Sequence, residues 1–165
     1  MSTAFVREVV LPSSPDRQPV LDPAACRFPL AIRRSPVHGW GLFAAAPIPG
    51  NRRIIEYRGQ HIDDAEAHRR RLRPLMFMLR LAPGLLIDGA VGGSGAECAN
   101  HGCCPNMVAR RRGQRVYLVS ARAIATGDEL LWNYGTQGGN AFLCHCGAPA
   151  CHGRAGAPSD VRRCD

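Results

Sequence analysis

The chain has 165 residues, 45% hydrophobic and 21% charged, which fits one folded domain with one modest core and excludes both a disordered chain and two ordinary domains. No run of about 18 or more apolar residues occurs, so no helix can span a membrane, and residues 1–8 lack the basic-then-apolar order of a secretion signal. The formal charge is +8 and all 21 of the Lys-plus-Arg residues are arginine; a polyanion such as DNA is a natural partner, against the plainer reading of a solvated arginine-rich surface.

Eighteen glycines and thirteen prolines point to a body of short elements and turns. Residues 1–29, punctuated by Pro12, Pro15, Pro19, Pro23 and Pro29, read as an extended arm or linker, with an added edge strand as the alternative. Residues 30–55 hold short apolar runs broken by Pro36, Gly39, Pro47, Pro49 and Gly50, the mark of short strands and tight turns. One helix is expected over 63–73: Asp63 or Asp64 can cap it, Glu66 lies in its first turn, arginines crowd its last, and Pro74 stops it. Strands are expected at 75–81 and 85–87 across Ala82-Pro83-Gly84, then a flexible loop over 89–95. Residues 108–112 and 114–119 can pair across Gly113, placing Val116, Leu118 and Ser120 on one face and Tyr117 and Val119 on the other. After a turn at 125–128, residues 129–134 read as another strand, and 155–165 as a frayed tail.

The chain has eight cysteines and no export signal, which favours a reducing, intracellular compartment and metal binding over disulfides. Cys144, Cys146 and Cys151 follow Cys-x-Cys-x4-Cys and offer three thiolates from one short loop. A structural zinc takes four ligands, so a fourth must come from Cys103, Cys104, His145 or His152; merely oxidisable thiols are the competing reading.

Four further stretches occur in order: His38-Gly39-Trp40-Gly41-Leu42-Phe43, Ile55-Glu56-Tyr57-Arg58-Gly59, Asn100-His101-Gly102-Cys103-Cys104-Pro105-Asn106 and Gly127-Asp128-Glu129-Leu130-Leu131-Trp132-Asn133-Tyr134-Gly135. With the cysteine loop they resemble a SET-domain protein-lysine methyltransferase followed by a post-SET zinc loop. The resemblance implies a mainly β fold of short curved sheets around a C-terminal pseudoknot, with few short helices. It implies an arm at 1–29, a SET domain at 30–136, a post-SET zinc loop at 140–154 and a tail at 155–165. S-adenosylmethionine would be held by His38, Gly39 and Trp40, through backbone groups, and by Asn100 and His101. Cys103 would join Cys144, Cys146 and Cys151 on zinc. Tyr134 would be the catalytic tyrosine, orienting the amine and the methyl rather than acting as an established base. Tyr57, Tyr117 and Trp132 would line the lysine channel, with core packing as the competing role for the two tyrosines.

Some positions depart from that pattern. Glu97 stands where an arginine is common, Cys98 and Ala99 replace bulkier residues, Gly102 replaces a serine, Leu75 stands where a tyrosine is frequent, and Trp132 replaces Phe or Tyr. These changes suggest a looser loop, and no cysteine-rich pre-SET cluster precedes residue 30. The resemblance implies methylation of a histone or histone-like basic protein, in cytoplasm or nucleus. A lysine-free chain cannot methylate itself on lysine, so the target is another protein. A free basic tail would need a locally acidic groove, for which Asp63, Asp64, Glu66 and Glu97 are candidates; a substrate on DNA would suit the arginine surface, through weak DNA contact. The alternatives are a catalytically weakened SET-derived binding module and a basic zinc-binding module that associates with nucleic acid.

Overall fold

The computed structural model describes residues 19–71, 77–135, 142–149, 151 and 153–155. These form four small antiparallel sheets, a single α-helix and two 3-10 turns. β1 (Leu30–Arg34) and β2 (Trp40–Ala44) make a hairpin. β3 (Arg53–Tyr57), β7 (Met107–Arg112) and β8 (Arg115–Ser120) make a second sheet with β8 in the middle. β4 (Gln60–Ile62), β5 (Met78–Ala82) and β6 (Leu85–Asp88) make a third around β6. β9 (Phe142–Leu143) pairs with β10 (Arg154–Ala155) in the cysteine loop.

Local chemistry explains these elements. Gly113, at φ +61°, supplies the left-handed residue that a two-residue hairpin loop needs, and Arg112 pairs with Arg115 across it. Along β8 the side chains alternate, so Val116, Leu118 and Ser120 turn inward at 0–3% exposure, as the period of two requires. Val116 and Leu118 meet Leu42, Ile54, Ile55, Met107 and Leu130 in one apolar core, while the Ser120 hydroxyl donates to the Pro49 carbonyl at 2.7 Å. The helix α1 (Asp64–Arg70) is capped by Asp63, whose side chain accepts the Glu66 N–H at 2.7 Å. Its expected end at Arg73 and Pro74 lies outside the described residues, as does His152.

Two expectations need revising. Residues 19–29, read as part of an arm, lie against the core: the Asp22 N–H donates to the Ser94 carbonyl, the Arg27 N–H to that of Ile54, and Cys26 bridges to Ile55. Residues 129–134 belong to no continuous ladder. Glu129 bridges to Phe43 of β2, while Trp132 bridges to both His101 and Met107. The reason is that a side chain substitutes for a strand: Asn106 donates from Nδ2 to the Glu129 carbonyl at 2.8 Å and accepts the Leu131 N–H at Oδ1, 2.9 Å away. The C-terminal segment is thereby held between β2 and residues 100–107, bonded on both sides.

Candidate active site and metal cluster

Asn100 organises the first part of the site. Its Nδ2 group donates to the His38 carbonyl at 3.1 Å, to the Trp40 carbonyl at 3.1 Å and to Glu129 Oε1 at 2.9 Å. Ser35 Oγ donates to the same carboxylate oxygen at 2.7 Å. The loop around Gly39 is therefore fixed by protein groups alone. Gly39 sits at φ +49°, a left-handed conformation that disfavours a side chain, and no atom lies within 4 Å of where its Cβ would stand. Gly39 is exposed, so the main chain there is open to solvent and within a ligand's reach. Gly41 has the opposite reason for being glycine, since a Cβ there would collide with Glu129 Oε1.

Tyr134 and Trp132 converge on one carbonyl. The Tyr134 hydroxyl donates to Ala99 O at 2.9 Å and the Trp132 indole N–H to the same oxygen at 3.1 Å, with ring centroids 5.0 Å apart. Burial, with the nearby Cys98 and Glu129 adding to it, raises the Tyr134 phenol well above its ordinary pKa of about 10. The group is a neutral phenol near pH 7 and can donate or orient, but it is no proton acceptor in anionic form. Tyr57 is buried at 5% exposure and donates to the Phe77 carbonyl at 2.7 Å. Burial likewise raises its pKa, with Glu97 the next contributor and Tyr134 after it.

Tyr117 is not brought to this group. The register pairs Glu56 with Tyr117 and Tyr57 with Val116, so the two tyrosines occupy opposite faces of the sheet. Tyr117 instead carries Arg53, whose guanidinium carbon is 4.5 Å from the ring centroid, and Arg115 at 5.5 Å. The channel role expected for it is therefore withdrawn.

The acids considered for a groove are otherwise engaged. Asp63 caps α1, Asp64 pairs with Arg80 at 2.7 Å, and Glu66 pairs with Arg69 and Arg70 at 2.5 Å each. Glu97 folds back so that Oε2 accepts the Gly95 N–H at 2.8 Å. The loop is not looser at Gly102 either, because a Cβ there would stand 2.9 Å from Leu131 Cβ. Leu131 fills the room that the glycine leaves. Leu75 lies outside the described residues.

Cys103, Cys144, Cys146 and Cys151 come together, their sulfur atoms all within 4.8 Å of one another. Cys103 Sγ is 3.7 Å from Cys144 Sγ and 3.8 Å from Cys151 Sγ. A tetrahedral ion with metal–sulfur bonds of about 2.3 Å sets sulfurs about 3.8 Å apart, so the cluster fits a metal ion. Although partial burial disfavours the Cys146 thiolate, the N–H groups of Cys103 and Ala148 draw its pKa down to about 7. Of the other candidates, His145 is exposed and Cys104 is disulfide-bonded, so the expectation of metal binding over disulfides holds for the four clustered cysteines and not for Cys104. His101 stands between the two sites, its Nδ1 accepting the Tyr134 N–H at 3.2 Å and its Nε2 lying 3.5 Å from Cys103 Sγ.

The SET-domain family model matches residues 39–135, well over half of the chain. The chain belongs to the SET-domain family. The matched residues contain Gly39, β2, all of the second and third sheets, Asn100 and Tyr134, and the cysteine loop that follows them fits a post-SET segment. The chain is 32% identical over 139 residues to the H3 lysine-4 specific histone-lysine N-methyltransferase of Kluyveromyces lactis, covering 76% of this chain and 14% of that protein. It is 33% identical to the protein of the same description from Yarrowia lipolytica, covering 76% and 12%, and 33% identical to that of Saccharomyces cerevisiae, covering 76% and 13%. This SET chain thus spans about an eighth of the length of those curated relatives. Among the described residues no helix is long and apolar enough to cross a membrane.

Two residues of this SET site carry more of the geometry than the sequence suggested. Glu129 ties Ser35 and Asn100 together, and Asn106 holds the segment that ends in Tyr134. Both lie inside motif stretches, and the signal available was a carboxylate and an amide set among apolar or turn residues.

Proposed function

We propose that this SET domain is an S-adenosylmethionine-dependent protein-lysine N-methyltransferase acting on a histone or histone-like basic protein, in a compartment that holds DNA. The observation that carries the reading is the Ala99 carbonyl shared by the Tyr134 hydroxyl and the Trp132 indole, beside an Asn100-clamped loop with open space at Gly39. The cosubstrate, when bound, supplies an electrophilic sulfonium methyl. The backbone of His38, Gly39 and Trp40, with Asn100 and His101, would hold it.

The substrate amine must arrive neutral, which costs an ammonium of pKa about 10.4 roughly 4–5 kcal/mol near neutral pH. A channel walled by Tyr57, Trp132 and Tyr134 would lower that cost by disfavouring the charged form. Tyr134 keeps its own proton and fixes the direction of the nitrogen lone pair, so its contribution is positioning in the near-attack geometry. Cys103, Cys144, Cys146 and Cys151 would hold a structural zinc, with no part in the transfer itself. Trp132 occupies more of the channel than Phe or Tyr would, which bears on how many methyl groups the amine can accept.

The test is methyl transfer from S-adenosylmethionine to a panel of basic proteins, histones and bacterial DNA-packaging proteins among them, read by mass spectrometry. A mass increase on lysine that disappears in Tyr134→Phe supports the reading. Cosubstrate binding by calorimetry without any transfer favours the SET-derived binding module, and no cosubstrate binding at all favours a nucleic-acid module.

A further inference from the structure

We propose that the outer face of the sheet formed by β3, β8 and β7 is a docking surface for duplex DNA, read through its phosphodiester backbone. Directly opposed residues of an antiparallel sheet project to the same side, and those two apart along a strand do too. Arg110 opposes Tyr117, Tyr117 opposes Glu56, Arg112 opposes Arg115, and Arg53 opposes Val119. Arg53, Arg110, Arg112 and Arg115 therefore share one face, and it is the face turned away from Tyr57 and the core. Arg27 and Arg58 line a cavity with Arg53, Arg115, Glu56 and Tyr117 at its edge.

The balance of charge there is strongly positive. Glu56 is buried at 8% exposure and is held by Arg115 through bonds of 2.5 and 2.6 Å and by Arg58 at 3.2 Å, while Asp22 pairs with Arg58 at 2.7 Å. Arg27, Arg53, Arg110 and Arg112 make no ion pair among the described residues and are all exposed. Tyr117 serves as a platform on which Arg53 and Arg115 lie, limiting the rotamers those guanidinium groups must give up on binding. Several arginines spread over one face of a three-stranded sheet suit a ladder of phosphates, which takes guanidinium groups as paired donors. A folded acidic partner would need an apolar anchor as well. The large exposed hydrophobic residues among those described, Val20 and Leu143, belong to none of these three strands.

Docking on this face does not cover Tyr57, which lies on the opposite, core-packed side of the sheet. The inference does not require methyl transfer, since duplex affinity is measured without cosubstrate, and its failure would leave the proposed activity untouched.

The experiment is fluorescence anisotropy with the full chain and a labelled duplex of about 20 base pairs, across a salt series. Arg53→Glu/Arg110→Glu is expected to weaken binding at least about tenfold and to flatten the slope of log affinity against log salt by about 2. Arg69→Glu/Arg71→Glu, in the last turn of α1 and at its C-cap, makes the same change in net charge and is expected to stay within about threefold of wild type. Circular dichroism melting confirms that each variant is folded, and Arg53→Gln/Arg110→Gln gives a smaller loss in the same direction. Equal weakening by the two Glu pairs would overturn the proposal, because the affinity would then follow net charge alone. So would poly-glutamate displacing the duplex at matched charge concentration, which would point to an acidic protein instead.

Discussion

The Nδ1 atom of His101 accepts the backbone N–H of Tyr134 at 3.2 Å. Accepting there leaves Nε2 as the protonated nitrogen of a neutral ring, and Nε2 lies 3.5 Å from Cys103 Sγ. One imidazole thus links the tyrosine of the site to a sulfur of the metal cluster, and the His101 and Tyr134 rings also meet edge to face at 5.4 Å. Partners just outside a metal's ligand shell typically shift affinity or activity by about 10–100-fold. Removing the metal with a chelator is therefore expected to weaken S-adenosylmethionine binding by about tenfold, measured by calorimetry on the same sample before and after treatment. Unchanged affinity, with the metal shown to be gone, would mean that the fold alone holds the loop.

Tyr134→Phe keeps the ring that packs on Trp132 and His101 and deletes only the hydroxyl that donates to Ala99. One neutral hydrogen bond contributes about 0.5–1.5 kcal/mol, and here the Ala99 carbonyl keeps the Trp132 N–H. The loss of stability should be about 1 kcal/mol or less, while single-turnover methyl transfer should fall by about 100-fold if the phenol aims the reacting nitrogen. A variant that transfers methyl at the wild-type rate would remove Tyr134 from the chemistry.

Gly102→Ser restores the residue that the SET resemblance leads one to expect, yet its Cβ would stand 2.9 Å from Leu131 Cβ and 3.1 Å from Leu131 Cδ1. Overpacking of this kind costs about 1–3 kcal/mol. Gly102→Ser should be destabilised by that amount in denaturant titrations, and Gly102→Ser/Leu131→Ala should recover part of the loss. If the single variant is as stable as wild type, Leu131 is free to move and does not explain the glycine.

Much of this is legible in the sequence itself. The cap at Asp63 and the inward triplet Val116, Leu118 and Ser120 are local signals, and they placed α1 and β8 within a few residues. The metal set was legible only through the family resemblance, because Cys103 lies 41 residues from Cys144 in sequence and spacing alone left four candidates for the fourth ligand. Tyr117 was misplaced for a different reason. Its face depends on whether Glu56 or Tyr57 stands opposite it, and a register change of one residue reverses that. The segment at 129–134 has a strand's composition, but it is held by a side-chain amide and by single bridges to β2 and to residues 101 and 107, which no local pattern reveals.

Glu97 makes the stability of this chain depend on pH. Its carboxyl is pushed up to about 7 because burial desolvates the charged form, against the opposing backbone hydrogen bonds that include the Gly95 N–H. Below about pH 4.5, both folded and unfolded chains hold this proton and the residue adds nothing. Between about 4.5 and 7 the unfolded chain releases the proton while the folded chain keeps it, so stability falls as pH rises, by up to about 3 kcal/mol once pH exceeds 7. Glu97→Gln retains an oxygen that can accept the Gly95 N–H but carries no charge. Urea denaturation at a series of pH values should show the variant more stable than wild type near pH 8 and equal to it near pH 4.5, with the difference opening across that window. A difference that is constant with pH would show that the Glu97 carboxyl titrates alike in the folded and unfolded chains.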